Sequence, residues 1–550
     1  MKGADVGTTD VQVVITGGLA AAARAVADEL TGEDVPARLA GQDATLWGEA
    51  AEAEASIRLG WLDLPDTSRE LVDRLATLRA ELLADGLDHV VLAGMGGSSL
   101  APEVITRGAG VPLTVLDTTD PGQVRSAIGD RLSRTVVVVS SKSGGTVETD
   151  SHRRAYAQAF RAAGLADDEV GRRFIVVTDP GSPLERTATE LGARAVFLAA
   201  PDVGGRYSAL SAFGLVPSAL AGVDIAALLA EAQAVAGLLG KNEANPGLQL
   251  GAALGAAWRT GHDKVAIVHT GADVAGFGDW AEQLVAESTG KQGRGLLPVV
   301  VEGAGAPGGS GPDVATVLVS ATPTTPATPA ATGADSGPPT ATVTGPVGAQ
   351  FLVWEYATAL AGRVIGINPF DQPNVAESKE NTTRILTTGA TVVAPSFTDG
   401  PVDGYGDAGL LAGVVDLTGA IHALLAAAPG RGYLAVMAYL DRHADAAAAG
   451  LRQALASRTD RAVTFGWGPR FLHSTGQYHK GGPAGGCFLQ LTGATVVDLP
   501  VPGRPFTFGE LQAAQAAGDI QALASRGYPV LRLHLNDRAA GIARLLAAVQ

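Results

Sequence analysis

His89-Val-Val-Leu-Ala-Gly-Met-Gly-Gly-Ser-Ser99 is the stretch from which the rest of the chain can be read. Four apolar residues follow His89 and read as a strand. Six small or flexible residues then make a turn, and a helical pattern begins at Leu100. The same order recurs at Thr135-Val-Val-Val-Val-Ser140, where Ser141-Lys-Ser-Gly-Gly-Thr146 is the turn and 146–163 the helix. Further apolar runs at 113–116, 174–178 and 195–198 are spaced by helical stretches. Short, almost wholly apolar strands alternating with helices predict an α/β fold with a parallel sheet covered on both faces.

Working outward, 68–84 has the spacing of an amphipathic helix leading into this unit, and 1–60 reads as an Ala-rich N-terminal helical segment. A first unit over 61–240 closes with the long helical pattern Ile225–Leu239. A second, over 241–395, starts from the strand Lys264–Thr270. Within it, 303–349 is rich in Gly, Pro, Thr and Ala, with Asp313 and Asp335 its only charges, and is expected to be a mobile surface loop centred on 321–342. Residues 396–550 form a C-terminal α/β region.

A chain of 550 residues that is 46% apolar and 17% charged can bury several cores and is not a disordered polymer. Its net charge of −16 argues against nucleic acid or an anionic membrane as partner. The single cysteine, Cys487, allows no internal disulfide and points to a reducing compartment. Asp5 and Asp10 interrupt any apolar leader, and no window of about 18 apolar residues occurs. The expectation is a cytoplasmic protein. Lysine is rare, seven residues against 33 arginines, so a lysine inside a Gly/Ser loop reads as a place that needs a compact ammonium.

The turn 94–99 offers free backbone N–H groups at a helix start, which suits an anion. Ser99 stands where a dinucleotide fingerprint needs its third glycine, so that motif fails. Ser141, Ser143 and Thr146 add hydroxyl donors in the second turn, enough with the backbone to hold a phosphate dianion. Arg206 follows Gly204-Gly205, where little backbone bulk separates a guanidinium from a cleft. Gln283 and Glu287 lie four apart on one helix face, and a carboxylate in the last turn meets the negative end of the helix dipole, a placement suited to a general base. In Asn368-Pro-Phe-Asp-Gln-Pro373-Asn-Val-Ala-Glu-Ser-Lys379, Pro373 is expected in the first helical turn, with Lys379 about two turns in. His473-Ser-Thr-Gly-Gln-Tyr-His479 holds two histidines without a cysteine pair, which favours acid–base chemistry over a metal. Ser288-x-x-Lys291 also matches a serine-acylase pattern, but no S-D-N accompanies it.

Together these segments resemble the glucose-6-phosphate isomerase family over much of 88–390. GMGGSSL (94–100), SKSGGTVET (141–149), VGGRYSALSAFGL (203–215), ESTGK (287–291) and the Asn368–Lys379 segment match the family's motifs in the family's order. The resemblance implies two sugar-isomerase (SIS) type, doubly wound parallel-sheet domains followed by the C-terminal α/β region. It implies reversible isomerisation of glucose 6-phosphate and fructose 6-phosphate through a cis-enediol, in glycolysis and gluconeogenesis, with no metal and no organic cofactor. Carried over by position, Gly97, Ser98, Ser141, Lys142, Ser143, Thr146, Gly205 and Gln283 would bind substrate and its phosphate. Glu287 would be the base, Arg206 the enediolate stabiliser, and Lys379 and His473 would assist ring opening, His479 being the second choice of histidine. The partner implied is a small-molecule phosphosugar, with homodimer and monomer both open.

Three departures stand out. Gly145 replaces a threonine of the phosphate loop, Glu377 sits one residue later than the family's glutamate, and no histidine lies between 270 and 421. His473 arrives after Lys379, an order that resembles the actinobacterial type and the isomerase half of transaldolase–isomerase fusions, although no transaldolase barrel is read ahead of it. If the C-terminal region folds back, one chain supplies a histidine that conventional dimers take from a neighbour. A dual phosphoglucose/phosphomannose isomerase and a non-catalytic sugar-phosphate-binding SIS protein are the alternative readings.

Overall fold

The computed structural model describes residues 11–322, 337–389 and 393–550. Three sheets organise them. In the first, the strands run in the order Thr114–Leu116, His89–Ala93, Thr135–Ser140, Phe174–Thr178, Ala195–Leu198, all parallel. Every residue of His89–Ala93, Thr135–Ser140 and Phe174–Thr178 is buried, which is why these strands carry continuous rather than alternating apolar sequence. The helices Val147–Ala162 and Ile225–Leu239 follow the expected periodicity.

The second sheet has the order Gln12–Thr16, Thr340–Thr344, Val314–Ser320, Lys264–Thr270, Leu297–Val300. Two expectations change here. The segment 1–60 is helical only in part: Gln12–Thr16 pairs antiparallel with Thr340–Thr344 and becomes the sheet edge. Nor is 303–349 one mobile loop, since Val314–Ser320 and Thr340–Thr344 are parallel strands and the helix Val347–Ile365 begins at its end. Composition draws attention to Gly and Pro, whereas the Val/Thr alternation within the stretch is what pairs. Of the expected loop centre 321–342, residues 323–336 lie outside the described residues.

The third sheet, from the C-terminal region, is mixed. Its order is Phe397–Asp399, Val402–Gly406, Val530–Leu535, Gly486–Gly493, Tyr433–Tyr439, Ala462–Trp467, with the first two strands antiparallel to their neighbours. It does not stand apart from the others. Val268, Leu297 and Val299 of the second sheet share one core with Tyr433, Met437, Phe471 and Phe488. Val501 and Phe508 join the core on one side of the first sheet with Tyr156 and Phe160. A fully buried side chain of this size contributes about 1.5–3 kcal/mol, so these contacts hold the C-terminal region against the first two sheets.

Candidate functional site

In an open α/β sheet, two neighbouring strands whose connections leave in opposite directions open a crevice at their carboxyl ends. In the first sheet those strands are His89–Ala93 and Thr135–Ser140, and the turns 94–99 and 141–146 follow them directly. Gly96 has φ +53, and a Cβ there would sit 2.7 Å from the His473 carbonyl oxygen. A Cβ on Gly97 would overlap the Gly205 carbonyl. Glycine at both positions is therefore what lets the 94–99 turn, Arg206's loop and the C-terminal segment meet. Ser98 is buried beside them, and Ser141 Oγ lies 2.9 Å from Thr146 Oγ1. Ser143 Oγ accepts from the Gly145 N–H at 3.4 Å.

Arg206 is the hub. Its Nε donates to Ser288 Oγ at 2.8 Å, Nη1 to Gln372 Oε1 at 2.9 Å, and Nη2 to the Pro369 and Asp371 carbonyls at 2.6 and 3.0 Å. Nη1 is also 3.4 Å from Glu287 Oε1, with both side chains below a tenth exposed. Glu287 occupies the last turn of the helix Phe277–Thr289, which ends at Gly290. Gln283, one turn earlier, donates from Nε2 to Glu287 Oε2 at 3.1 Å and to the His473 carbonyl at 2.8 Å. A planar guanidinium fixed by four hydrogen bonds cannot swing away, so carboxylate and cation face each other without reorganisation.

His473 does reach this cluster from its own chain. Its Nε2 lies 3.0 Å from Glu148 Oε1, and Gln515 Nε2 donates to the same oxygen at 2.7 Å. Burial alone would raise the Glu148 carboxyl, but the charge and hydrogen bond of His473 outweigh it and bring the group from 4.5 down to about 2. A carboxyl depressed in the folded state adds stability that is complete above its unfolded value near 4.5 and is lost as pH falls toward about 2. Glu148→Gln should accordingly flatten the acid limb of stability across that window. Urea midpoints measured from pH 6 downward check this, and an unchanged slope in the variant would count against it.

The other expected residues divide. Lys142 is engaged at 2.6 Å by Asp179 Oδ2 and at 3.3 Å by the Pro201 carbonyl, so its ammonium is committed to the loop's own structure. Lys379 is exposed and its ammonium makes no hydrogen bond or ion pair among the described residues, although its charge contributes to lowering Glu148. The expected helix start at Pro373 is wrong by three residues. Asn374 N–H donates to Gln477 Oε1 at 2.9 Å and Asp371 is held by Lys291 at 2.7 Å, so the helix does not begin until Ala376 and Lys379 falls in its first turn. His479 is buried with its Nδ1 2.9 Å from Tyr433 Oη and its ring stacked on Tyr433, far into the core, and burial takes it down to about 3.

Sequence reasoning gives no role to Glu148, Gln515 or the Lys291–Asp371 pair. Glu148 stands inside the quoted SKSGGTVET, but nothing local announces a partner 325 positions away. Lys291 is fully buried, and burial followed by the Arg206 charge brings it down to about 8 while Asp371 keeps it paired. Among the described residues no group of His, Cys, Asp and Glu is placed to hold a metal, and no helix is long and apolar enough to cross a membrane.

Parts of the chain are similar to known proteins. The family model of phosphoglucose isomerase matches residues 69–294. A glucose-6-phosphate isomerase of Citrifermentans bemidjiense is 42% identical over 153 residues, 26% of this chain and 28% of that one. A probable glucose-6-phosphate isomerase of Haloarcula marismortui is 36% identical over 223 residues, covering 40% of this chain and 50% of its own. That of Synechococcus elongatus is 29% identical over 351 residues, covering 54% and 66%. The chain thus spans half or less of the length of the first two curated relatives. Among solved structures, a hypothetical protein from Thermus thermophilus superposes with TM-score 0.56 at 24% identity over 69% of this chain and all of its own. A glucose-6-phosphate isomerase from Chlamydia trachomatis does so with TM-score 0.54 at 20% identity, covering 69% of this chain and 89% of that one. These two share the α/β fold over the part they cover. The match to the phosphoglucose isomerase family model, residues 69–294, takes in the hydroxyl-rich loops, Arg206 and Glu287.

Proposed function

We propose that this protein interconverts glucose 6-phosphate and fructose 6-phosphate by proton transfer through a cis-enediol. The observation that carries the reading is the buried Arg206–Glu287 contact of 3.4 Å, opposite a hydroxyl-lined anion crevice and beside a carboxylate-held histidine. Ser98, Ser141, Ser143 and Thr146, with the N–H groups of Gly97 and Gly205, hold the phosphate. Lys142 braces the loop through Asp179. His473, oriented by Glu148, passes a proton at the ring oxygen as the pyranose opens, and Lys379 at the cleft mouth adds a positive charge there. Glu287 removes the C2 proton and returns it to C1, Gln283 fixes its carboxylate, and Arg206 faces the oxygen that becomes negative. The substrate carbonyl is its own electron sink, so this chemistry calls for no cofactor. The enzyme works in the reducing cytoplasm.

Purified protein should turn fructose 6-phosphate into glucose 6-phosphate, followed by a coupled dehydrogenase. Absence of turnover with phosphosugar binding retained would favour the non-catalytic reading. For ring opening the expected result is asymmetric. His473→Ala should lower kcat on cyclic glucose 6-phosphate by roughly 10²-fold, the lower end of general acid–base effects, and leave an open-chain analogue within a few-fold. Equal losses on both substrates would remove His473 from that step.

A further inference from the structure

The third sheet has its own strand-end crevice, and none of the site described above uses it. The connection from Tyr433–Tyr439 leads to Ala462–Trp467 on one side, whereas Gly486–Gly493 leads to Val530–Leu535 on the other. At the carboxyl ends of those two central strands lies a cavity of about 380 Å³, lined by Tyr439, Thr492, Gln512, Arg532 and His534 among others. Through Tyr405, Ala513 and Arg532 it adjoins a largely apolar cleft of about 750 Å³ walled by Leu410, Ala517, Ile520 and Tyr528. Sizes of roughly 300–1,000 Å³ are those of small-molecule sites.

Its polar groups are left wanting a partner. Arg532 and His534, two apart, share the strand face that looks into the cavity, and the Arg532 guanidinium stacks 3.9 Å over the Tyr405 ring. Arg532 forms no ion pair among the described residues, its polar neighbour being the Tyr405 hydroxyl, and burial holds its pKa below the ordinary arginine value. No carboxylate lines the smaller cavity. In the cleft the lining carboxylate, Asp407, accepts the Gly409 N–H at 2.7 Å. Gln512 is 5% exposed, and its Nε2 has no acceptor. His534 Nδ1 is 3.0 Å from Thr492 Oγ1. A half-buried cation without a counter-charge and a buried amide donor without an acceptor are both costly unless something supplies the missing oxygens.

We propose that this crevice is a second binding site, for a small organic anion with a flat apolar body: its phosphate or carboxylate on Arg532 and the Gln512 amide, its ring in the adjoining cleft against Tyr405. Two chemistries meet this description, a phosphate monoester such as a nucleotide and an aromatic carboxylate. They share the anion and the plane.

Calorimetric titration of the full chain with adenosine 5′-monophosphate and, separately, with phenylpyruvate tests it. Saturable binding of either is expected, the first alone marking a phosphate site and the second alone a carboxylate site. Arg532→Met, which keeps the bulk over Tyr405, should weaken the bound probe roughly 10- to 100-fold, the range for one charged hydrogen-bonding partner. Ser141→Ala should leave it unchanged. Wild-type protein supplies a control that needs no variant: adenosine and phenylacetone, which lack the anion, should bind much more weakly than their charged counterparts. The proposal is overturned if neither probe binds at millimolar concentration, if the uncharged compounds bind as tightly as the charged ones, or if Ser141→Ala rather than Arg532→Met loses the probe.

Discussion

Glu287→Gln should lower kcat for fructose 6-phosphate by roughly 10³- to 10⁴-fold, the upper part of what one general base contributes. The substitution keeps the shape of the side chain and the reach to Gln283, which now sits 3.1 Å away, so it removes basicity and little else. No other carboxylate faces Arg206 at ion-pair distance among the described residues, so none stands ready to take over. KM should move by no more than a few-fold, because the hydroxyls of 141–146 belong to a different loop from the helix that carries the base. Loss of proton exchange between solvent and C2 of the sugar should accompany the fall in kcat. A variant within tenfold of wild type, or one that retains solvent exchange at C2, would mean that another group is the base.

The second large effect concerns stability rather than chemistry. Lys480 Nζ meets Asp519 Oδ1 at 2.8 Å, with side chains 2% and 1% exposed, and Ser378 Oγ donates to the same carboxylate at 3.1 Å. Three segments meet there: the short helix Gly476–Gly481 after His473, the helix Phe508–Ala524, and the helix Ala376–Thr388 that carries Lys379. Asp519→Ala strands a buried ammonium, a loss of about 3–5 kcal/mol when one partner of a buried pair is removed. Lys480→Met in the same chain should restore most of it, because a pair replaced by apolar bulk is close to neutral. Thermal melts of the two single variants and the double variant separate these cases. A double variant as unstable as Asp519→Ala would show that the carboxylate acts through Ser378 instead.

The parts of this protein that sequence makes legible are those where chemistry and period are local. Strands such as Thr135–Ser140 announce themselves because both faces are buried, so every residue is apolar or small. The turns after them are legible because anion-binding loops need glycine and hydroxyl residues in consecutive positions. Glu287 stands out as a candidate base from its spacing to Gln283 and its place in the last helical turn. The helix start near Pro373 is misjudged from sequence because its deciding partners, Gln477 and Lys291, lie 103 and 80 positions away. The edge strand Gln12–Thr16 escapes notice for a similar reason: its partner, Thr340–Thr344, sits beyond a Gly/Pro-rich stretch that masks the pairing pattern.

The sequence by itself determined the α/β class and the two hydroxyl- and glycine-rich turns, and it named the residues proposed to move a proton or hold a phosphate, since each depends on neighbours a few positions apart. Only the tertiary structure decided which histidine joins them. His473 and His479 are six positions apart and alike in type, but one ends beside Glu148 at 3.0 Å and the other beneath Tyr433 in the core. That choice follows from packing of the C-terminal region against the second sheet through Tyr433, Phe471 and Phe488 and against the first through Val501 and Phe508, a surface match among residues more than a hundred positions apart that no local pattern encodes.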